Sequence, residues 1–117
     1  MDQEPGGDDR RERRSRQMKR TLIRYRTKDD AAAENQRLIE NVFRELQAKA
    51  PEGVRYMVLR LGDGSFVHFV EDADGRNSVP ELDAFKLFQS GIKERCAEPP
   101  LAHAATIVGN YRMLDPR

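Results

Sequence analysis

The segment over residues 54–72 constrains the fold of this chain of 117 residues most strongly. It contains two runs rich in β-branched and aromatic residues, and Asp63-Gly64 between them is typical of a two-residue hairpin loop. Such a loop pairs Leu59 with His68 across two antiparallel strands, whose side chains alternate between two faces. The predicted faces consist of Met57, Leu59, Leu61, Phe66, His68 and Val70 on one side and of Tyr56, Val58, Arg60, Val67, Phe69 and Glu71 on the other.

Both predicted faces are largely apolar, and a sheet with two apolar faces must be covered on both sides. At 117 residues the chain has the length of one domain with a small core and is too short for two. We therefore expect helices of the same chain on one side of the sheet and a partner subunit on the other.

Charge and cysteine content narrow the class of protein. The 21 Lys and Arg residues nearly balance the 20 Asp and Glu residues, so no overall field attracts nucleic acid or an anionic membrane. Cys96 is the only cysteine, which excludes an internal disulfide and suits a reducing compartment. The chain has no run of about 18 apolar residues. We predict a soluble, cytoplasmic protein without nucleic acid or membrane partners.

The first 17 residues, MDQEPGGDDRRERRSRQ, have no large apolar side chain after Met1. Such a segment cannot bury enough apolar surface to offset the entropy lost when its backbone becomes ordered. We predict a disordered tail over residues 1–17 and one folded domain over residues 18–117. A phosphate- or RNA-binding arm is the alternative interpretation of the arginine cluster RRERRSR.

The folded part predicts the order strand, helix, strand, strand, helix, strand. Residues 19–27 alternate as a strand does, and apolar residues recur at helical spacing over residues 29–49. After the hairpin, residues 78–81 have the pattern of a capping box with proline in the first turn. Pro99-Pro100 is expected to end the second helix, and residues 101–114 to form the last strand. The apolar stripe of the second helix consists of Leu82, Phe85, Phe88, Ile92 and Cys96.

With right-handed crossovers, this order folds into an α+β domain of the ferredoxin-like βαββαβ type. Its four-stranded antiparallel sheet carries both helices on one face and leaves the other open. The open face is predicted to hold an apolar patch too large for a monomer surface, so we expect a homodimer formed through that face. The patch consists of Tyr56, Val58, Val67 and Phe69, with Ile23 and Tyr25.

Three stretches of the chain carry a family likeness that covers about residues 19–114. They are Thr27-Lys28-Asp29-Asp30 after the first strand, Ser65-Phe66-Val67-His68-Phe69-Val70-Glu71 as the third strand, and Ala84-Phe85-Lys86-Leu87-Phe88 in the helix before Pro99-Pro100. Together they resemble the antibiotic biosynthesis monooxygenase-like proteins of the dimeric α/β-barrel superfamily. The resemblance implies a homodimer whose two sheets form a barrel, with a pocket for a small aromatic or polyketide-like ligand between helices and sheet.

Members of that superfamily include cofactor-independent oxygenases of quinone-like aromatics, haem-degrading enzymes and proteins with no known activity. Haem-degrading relatives carry a tryptophan and a histidine where this chain has Asp72 and Ala84, and the chain has no tryptophan. We therefore expect no haem and no other cofactor. The family likeness leaves two functions open, a cofactor-independent monooxygenase and a dimeric binding or structural protein without turnover.

His68 and Arg24 are the candidate catalytic residues. His68 is expected in the pocket, where a neutral imidazole would act as a general base on a phenol or form a hydrogen bond with a bound carbonyl. Arg24 is expected on the same face, where a buried guanidinium needs an acidic neighbour or an anionic ligand. The alternatives are a core histidine bonded to a neighbour and an arginine at the strand edge that reaches water.

Phe66, Phe85 and Phe88 are the candidate ligand-binding residues, and the alternative for them is ordinary core packing. No metal site is predicted, because His68 and His103 lie on different strands without further ligands at a recognisable spacing. RNA binding is a less favoured alternative: residues 66–69 match half of an RNA-recognition motif, but residues 62–65 fail the other half. A cavity of about 300 Å³ or more beside His68 is expected for the enzyme and a filled interior for the alternative.

Overall fold

Four antiparallel strands form one sheet in the order β2-β3-β1-β4. A computed structural model describes residues 18–73 and 78–114; the tail predicted to be disordered over residues 1–17 lies outside this part of the chain. The strands are β1 (Lys19–Thr27), β2 (Val54–Arg60), β3 (Ser65–Asp72) and β4 (Cys96–Ala104). Because β1 and β3 are the central pair, the crossovers that follow β1 and β3 place both helical segments on one face, as the ferredoxin-like prediction requires.

The first helix, α1 (Ala32–Lys49), follows a short 3-10 turn and packs its apolar stripe on the sheet. It ends at Ala50, whose backbone adopts the left-handed conformation and whose N–H donates to the Leu46 carbonyl. The second helical segment consists of α2 (Asp83–Ser90) and α3 (Ile92–Arg95). None of the helices in the described residues is long and apolar enough to cross a membrane. The buried core between helices and sheet consists of Tyr25, Ala32, Leu38, Ile39, Val42, Phe66, Leu82 and Phe88.

The hairpin between β2 and β3 is present, but its loop has three residues instead of two. The Leu61 N–H donates to the Ser65 carbonyl at 2.8 Å, and the Gly64 N–H donates to the Leu61 carbonyl at 3.2 Å. Gly64 has a φ of 87°, the left-handed position that closes a turn followed by a one-residue bulge. The loop therefore spans residues 62–64, and the pairing shifts by one residue from the predicted register.

This shift makes the predicted faces of β2 wrong. Val58, not Leu59, pairs with His68, so the side chains of β2 exchange faces. Tyr56 and Val58 pack against the helix-covered core, as do Ile23 and Tyr25 of β1, which were expected on the open face. Only two members of the predicted open patch remain on that face. We define the open face by its apolar residues, which are Leu22, Met57, Leu59, Val67, Phe69 and Leu101.

The second helix and the last strand also depart from the prediction. The helix breaks at Gly91, where an added Cβ would lie 3.0 Å from the Arg95 guanidinium, so the glycine leaves room for that side chain. Strand β4 begins at Cys96, far earlier than expected, and Pro99-Pro100 lies inside it. Proline is tolerated there because β4 is an edge strand, and its pairing with β1 shifts register on either side of Arg26.

Candidate functional site

A cavity of about 240 Å³ lies between the sheet and helix α2. Most of its wall is apolar, and Lys19 and Asp72, at the start of β1 and the end of β3, also line it. The volume is smaller than the 300 Å³ expected for an enzyme pocket, yet the interior is not filled. Its inner wall consists of Ile23, Tyr25, Tyr56, His68, Val70, Phe85, Phe88 and Ile92.

His68 lies at the centre of this wall, held between two tyrosines. Its Nε2 is 2.8 Å from the Tyr25 hydroxyl oxygen, and its Nδ1 is 2.7 Å from the Tyr56 hydroxyl oxygen. The three residues come from β1, β2 and β3, and the strand register places them on the helix-covered face. Only 3% of His68 and 3% of Tyr25 is exposed to solvent. Both ring nitrogens of the imidazole therefore have partners.

The hydrogen-bonded chain continues from Tyr25 into helix α1 and helix α3. The Asn35 side-chain amide donates to the Tyr25 hydroxyl at 2.8 Å, and the Arg95 Nε donates to the Asn35 carbonyl oxygen at 2.9 Å. Arg95 also donates from Nη2 to the Phe88 carbonyl oxygen at 2.6 Å, and its guanidinium lies over the Phe88 ring. We call the five linked side chains the buried polar chain; they are Arg95, Asn35, Tyr25, His68 and Tyr56.

Burial keeps the titrating members of this chain uncharged. Removal from water lowers the pKa of His68 to about 4, because the imidazolium form is not solvated there. Burial is also the main cause that raises the pKa of Tyr25 and of Tyr56 above the ordinary value of a phenol. At neutral pH the cavity therefore presents a neutral imidazole and two intact hydroxyls.

These properties decide what the site can do chemically. An imidazole whose pKa is about 4 is a weak base, so the general-base role is less suited to His68 than a hydrogen bond to a bound oxygen. The apolar wall, with the rings of Phe85 and Phe88 5.7 Å apart, offers contacts to an aromatic molecule. The arrangement suits a small aromatic ligand that carries one oxygen near the hydroxyls.

The structure brings together three of the five predicted site residues. His68, Phe85 and Phe88 line the cavity. Phe66 does not, because it is fully buried and stacks on Tyr25 with ring centroids 5.6 Å apart. The expectation that Arg24 shares a face with His68 is wrong: Arg24 pairs with Val67 on the open side, is exposed, and donates to the Ser65 hydroxyl.

Sequence reasoning missed four members of the site. Tyr56 was placed on the wrong face by the one-residue error in the hairpin register, and Tyr25 by a wrong face assignment for β1, which pairs Tyr25 with Phe66. Asn35 and Arg95 carried a usable signal: Asn35 lies three residues before Leu38 on the apolar stripe of α1, and Arg95 follows Phe88 by seven residues. A polar residue on a buried stripe requires a hydrogen-bond partner, so these positions indicate a buried polar contact.

Solved structures provide the comparison for this architecture. A structure from Caulobacter crescentus, named as a "putative antibiotic biosynthesis monooxygenase", superposes with a TM-score of 0.67 and 16% identity, covering 86% of this chain and 99% of that one. One from Bacteroides thetaiotaomicron with the same name has a TM-score of 0.68 and 14% identity, covering 80% and 92%. The fold is that of the antibiotic biosynthesis monooxygenase-like proteins.

A third structure with this name, from Nitrosomonas europaea, has a TM-score of 0.65 and 14% identity over 79% of this chain and 91% of its own. No family model matches the sequence. No curated protein matches it either. The resemblance read from short sequence stretches is therefore confirmed at the level of the fold, the ferredoxin-like α+β arrangement shared with these monooxygenase-named structures.

Proposed function

We propose that the domain of residues 18–117 binds a small hydroxylated aromatic molecule in the cavity beside His68 and oxidises it with dioxygen, without a cofactor. The observation that carries the proposal is a largely apolar cavity with a buried imidazole and two phenols, joined by hydrogen bonds, on its inner wall. The Asp72 carboxylate also lines the cavity, and its buried Oδ1 has no hydrogen-bond partner among the described residues. The fold shared with monooxygenase-named structures agrees with this chemistry.

The reaction balances without any other reductant. A hydroxyl proton leaves the aromatic substrate, and the electron-rich phenolate transfers electrons to dioxygen. One oxygen atom becomes a carbonyl oxygen on the ring carbon para to the hydroxyl, and the other leaves as water. The two hydrogens of that water come from the substrate hydroxyl and from the para carbon, so the product is a quinone.

The chain's contribution is to favour the phenolate and to exclude water. A hydrogen bond from the His68–Tyr56 pair to the substrate oxygen would stabilise its negative charge in a cavity of low polarity. The aromatic wall, including Phe85 and Phe88, would hold the ring in place. A cavity of about 240 Å³ favours a molecule of two fused rings over a larger polycyclic one.

The test uses 1,5-dihydroxynaphthalene, which gains one oxygen atom and loses two hydrogens to become a hydroxynaphthoquinone. The full chain is incubated with it under oxygen-18 gas, and mass spectrometry is used to count the labelled atoms in the product. We expect one labelled atom per quinone, formed faster than in the absence of protein. His68→Asn and Tyr56→Phe should each lower the rate about tenfold or more, because each removes a hydrogen bond near the substrate oxygen.

His103→Asn is the matched control for the loss of an imidazole, since His103 lies opposite Leu22 on the open face of the sheet, away from the residues that line the cavity. Its rate should equal that of the unaltered chain. Tight binding of the diol without any enhanced formation of labelled quinone would identify a binding protein without turnover. Equal loss of activity in His68→Asn and His103→Asn would show that the cavity is not where the reaction occurs.

We also propose that the chain acts as a homodimer in the cytoplasm, paired through the open face. Leu59 and Leu101 on that face are 52% and 63% exposed in the single chain. Next to it, Ile107 and Met113 line a shallow groove with Met57. Apolar surface on this scale supports a protein contact, and two copies of one face satisfy the symmetry of a dimer.

A further inference from the structure

Each hydrogen bond of the buried polar chain has a defined donor and acceptor, and Arg95 determines this direction of donation. A guanidinium can only donate hydrogen bonds, so the atom of Asn35 that faces Arg95 must be the amide oxygen. The amide nitrogen of Asn35 must then face Tyr25, to which it donates. Arg95 itself is held in place by its bond to the Phe88 carbonyl oxygen and by burial against the Phe88 ring. The orientation of the Asn35 amide is therefore fixed by chemistry.

The orientation of the Asn35 amide determines, through Tyr25, which nitrogen of His68 carries the hydrogen. The Tyr25 hydroxyl oxygen accepts from Asn35, which is completely buried, and its own hydrogen still needs an acceptor. Within the described residues the acceptor in reach is Nε2 of His68, at 2.8 Å. Tyr25 therefore donates to Nε2, and the neutral imidazole carries its hydrogen on Nδ1. The reverse arrangement would leave a buried hydroxyl hydrogen without an acceptor.

The last hydrogen bond of the chain joins His68 to Tyr56, which lines the cavity. Nδ1–H of His68 donates to the Tyr56 hydroxyl oxygen at 2.7 Å, so the hydrogen of that hydroxyl must point elsewhere. In the part of the chain that the structure describes, Tyr56 has no second partner, and it lines the cavity. We infer that Arg95 and Asn35 are positioning residues that direct the hydroxyl hydrogen of Tyr56 into the cavity, so that the site selects ligands with an acceptor oxygen.

The donor hydrogen of Tyr56 in the cavity determines the class of ligand. That such a ligand is the substrate of a reaction rests on the proposed function. A phenolate or an aromatic ketone offers an acceptor to Tyr56, whereas a plain hydrocarbon offers none. For the proposed oxidation, both the ionised substrate and the quinone product satisfy this requirement. Arg95 and Asn35 would act on the ligand only through Tyr25, His68 and Tyr56.

Asn35→Asp is designed to exchange donors and acceptors in the buried polar chain while keeping the shape of the side chain. An aspartate at this position can still accept from Arg95, but it offers only acceptors to Tyr25. Tyr25 would then donate to Asp, accept from Nε2–H of His68, and leave Nδ1 to accept from Tyr56. Nitrogen-15 spectra of the imidazole distinguish the two forms. We expect the hydrogen on Nδ1 in the unaltered chain and on Nε2 in the variant.

Asn41→Asp is the matched control, because it makes the same change elsewhere on helix α1 and lies outside the buried polar chain. It should leave the hydrogen on Nδ1. Finding the hydrogen on Nε2 in the unaltered chain would overturn the inference even if the variant failed to fold. An unchanged Nδ1–H form in a folded Asn35→Asp variant would show that Asn35 does not set the direction.

A binding measurement tests the ligand class with 1-tetralone and tetralin, which differ by one carbonyl oxygen. The unaltered chain should bind the ketone about tenfold more tightly, the effect of one net hydrogen bond. Asn35→Asp should lose this preference, because Tyr56 then donates to His68. Equal affinities in the unaltered chain would overturn the selectivity. Neither readout needs turnover, so absence of quinone formation would refute the proposed oxidation without affecting this inference.

Discussion

The two faces of the sheet differ in a way opposite to the usual pattern of a small domain. The helix-covered face encloses histidine, tyrosine, asparagine and arginine side chains in one hydrogen-bonded chain. The open face carries leucine, valine, methionine and phenylalanine, of which Leu59 and Leu101 are more than half exposed to solvent. Polar groups are buried where they can bond to one another, and apolar groups are exposed where a second subunit can cover them.

Each face of the sheet has its own energetic requirement. The buried polar chain is favourable only while each of its hydrogen bonds is kept, because an unpaired buried group costs about 1–3 kcal/mol. The open face depends instead on area removed from water, at roughly 25 cal/mol per Å². An introduced charge should therefore destabilise either face, whereas the loss of one hydrogen bond should destabilise only the covered face.

The largest effect should come from a charge on the open face. Phe69→Asp places a carboxylate in each half of the proposed dimer contact, and two such buried charges without partners should weaken association by at least about a thousandfold, or 4 kcal/mol. Light scattering after size exclusion at micromolar concentration should give twice the chain mass for the unaltered protein and the single mass for the variant. Circular dichroism checks that the variant remains folded.

Leu87→Asp is the control for that experiment, because Leu87 is 60% exposed on helix α2 and lies outside the open face. It should leave the dimer intact. An unaltered chain that remains a monomer at high concentration would contradict the role given to the open face.

Acid should act on the covered face through His68. The pKa of His68 is lowered from 6.5 to about 4, so the folded state binds a proton there less readily than the unfolded state does. The stability gained from neutral His68 is complete above pH 6.5 and is lost as the pH falls from 6.5 through 4. The loss should reach about 3 kcal/mol near pH 4. Urea unfolding at pH 7.5 and pH 4 measures it.

His68→Asn should abolish most of this difference between the two pH values, because the amide does not titrate. His103→Asn should preserve it. If the two variants retain the same acid dependence as the unaltered chain, other groups are responsible for it, and His68 is not the buried neutral imidazole described above.

The two tyrosines that hold His68 should differ in their effect on stability. Tyr25→Phe leaves the Asn35 amide and one His68 nitrogen without a partner in the interior, which should cost about 2 kcal/mol of unfolding free energy. Tyr56→Phe removes a hydroxyl beside the cavity, where water can replace it, and should cost about 1 kcal/mol or less. Urea unfolding at pH 7.5 compares them; equal losses would contradict the expectation that water replaces the Tyr56 hydroxyl but not the Tyr25 hydroxyl.

The smallest effect should come from the loop that decides which residue lies on which face. Gly64→Ala should cost about 1 kcal/mol, because a φ of 87° is unfavourable for a residue with a Cβ even though the added atom would make only ordinary van der Waals contacts, the nearest at 3.7 Å from the Thr27 carbonyl oxygen. Gly62→Ala, with no atom within 4 Å of the added Cβ, should be nearly neutral. Thermal unfolding distinguishes them, and an equally small effect at both positions would show that the turn does not fix the register.

The sequence was sufficient to predict the order of the elements and the fold, because helical and strand periodicities are long and repeat many times. It was not sufficient for the site, because face assignment in the hairpin depended on one residue of loop length. Asp63-Gly64 fits a two-residue loop, and Gly62-Asp63-Gly64 fits a three-residue loop with glycine in the left-handed position equally well. The shift of one residue moved Tyr56 from the open face to the cavity, whereas Tyr25 lies there because β1 pairs it with Phe66 on the helix-covered side.

The partners of His68 could not be predicted for a second reason. Asn35 and Arg95 are separated by 60 positions in the chain, and only the packed structure shows that they touch. A buried asparagine has several possible partners, and sequence alone does not choose among them. The prediction for Arg24 was wrong for a different reason. An arginine in a strand next to apolar residues suggests a buried guanidinium, but the Arg24 side chain reaches solvent.

The two prolines inside β4 have a consequence for how copies of this protein can meet. Proline has no backbone N–H, so the outer rim of β4 lacks a full row of donors for another strand. Side-by-side addition of a second sheet, which would continue indefinitely into fibres, is interrupted there. Contact through the flat of the sheet closes after two copies. Pro99-Pro100 thus favours a finite particle over an open-ended polymer.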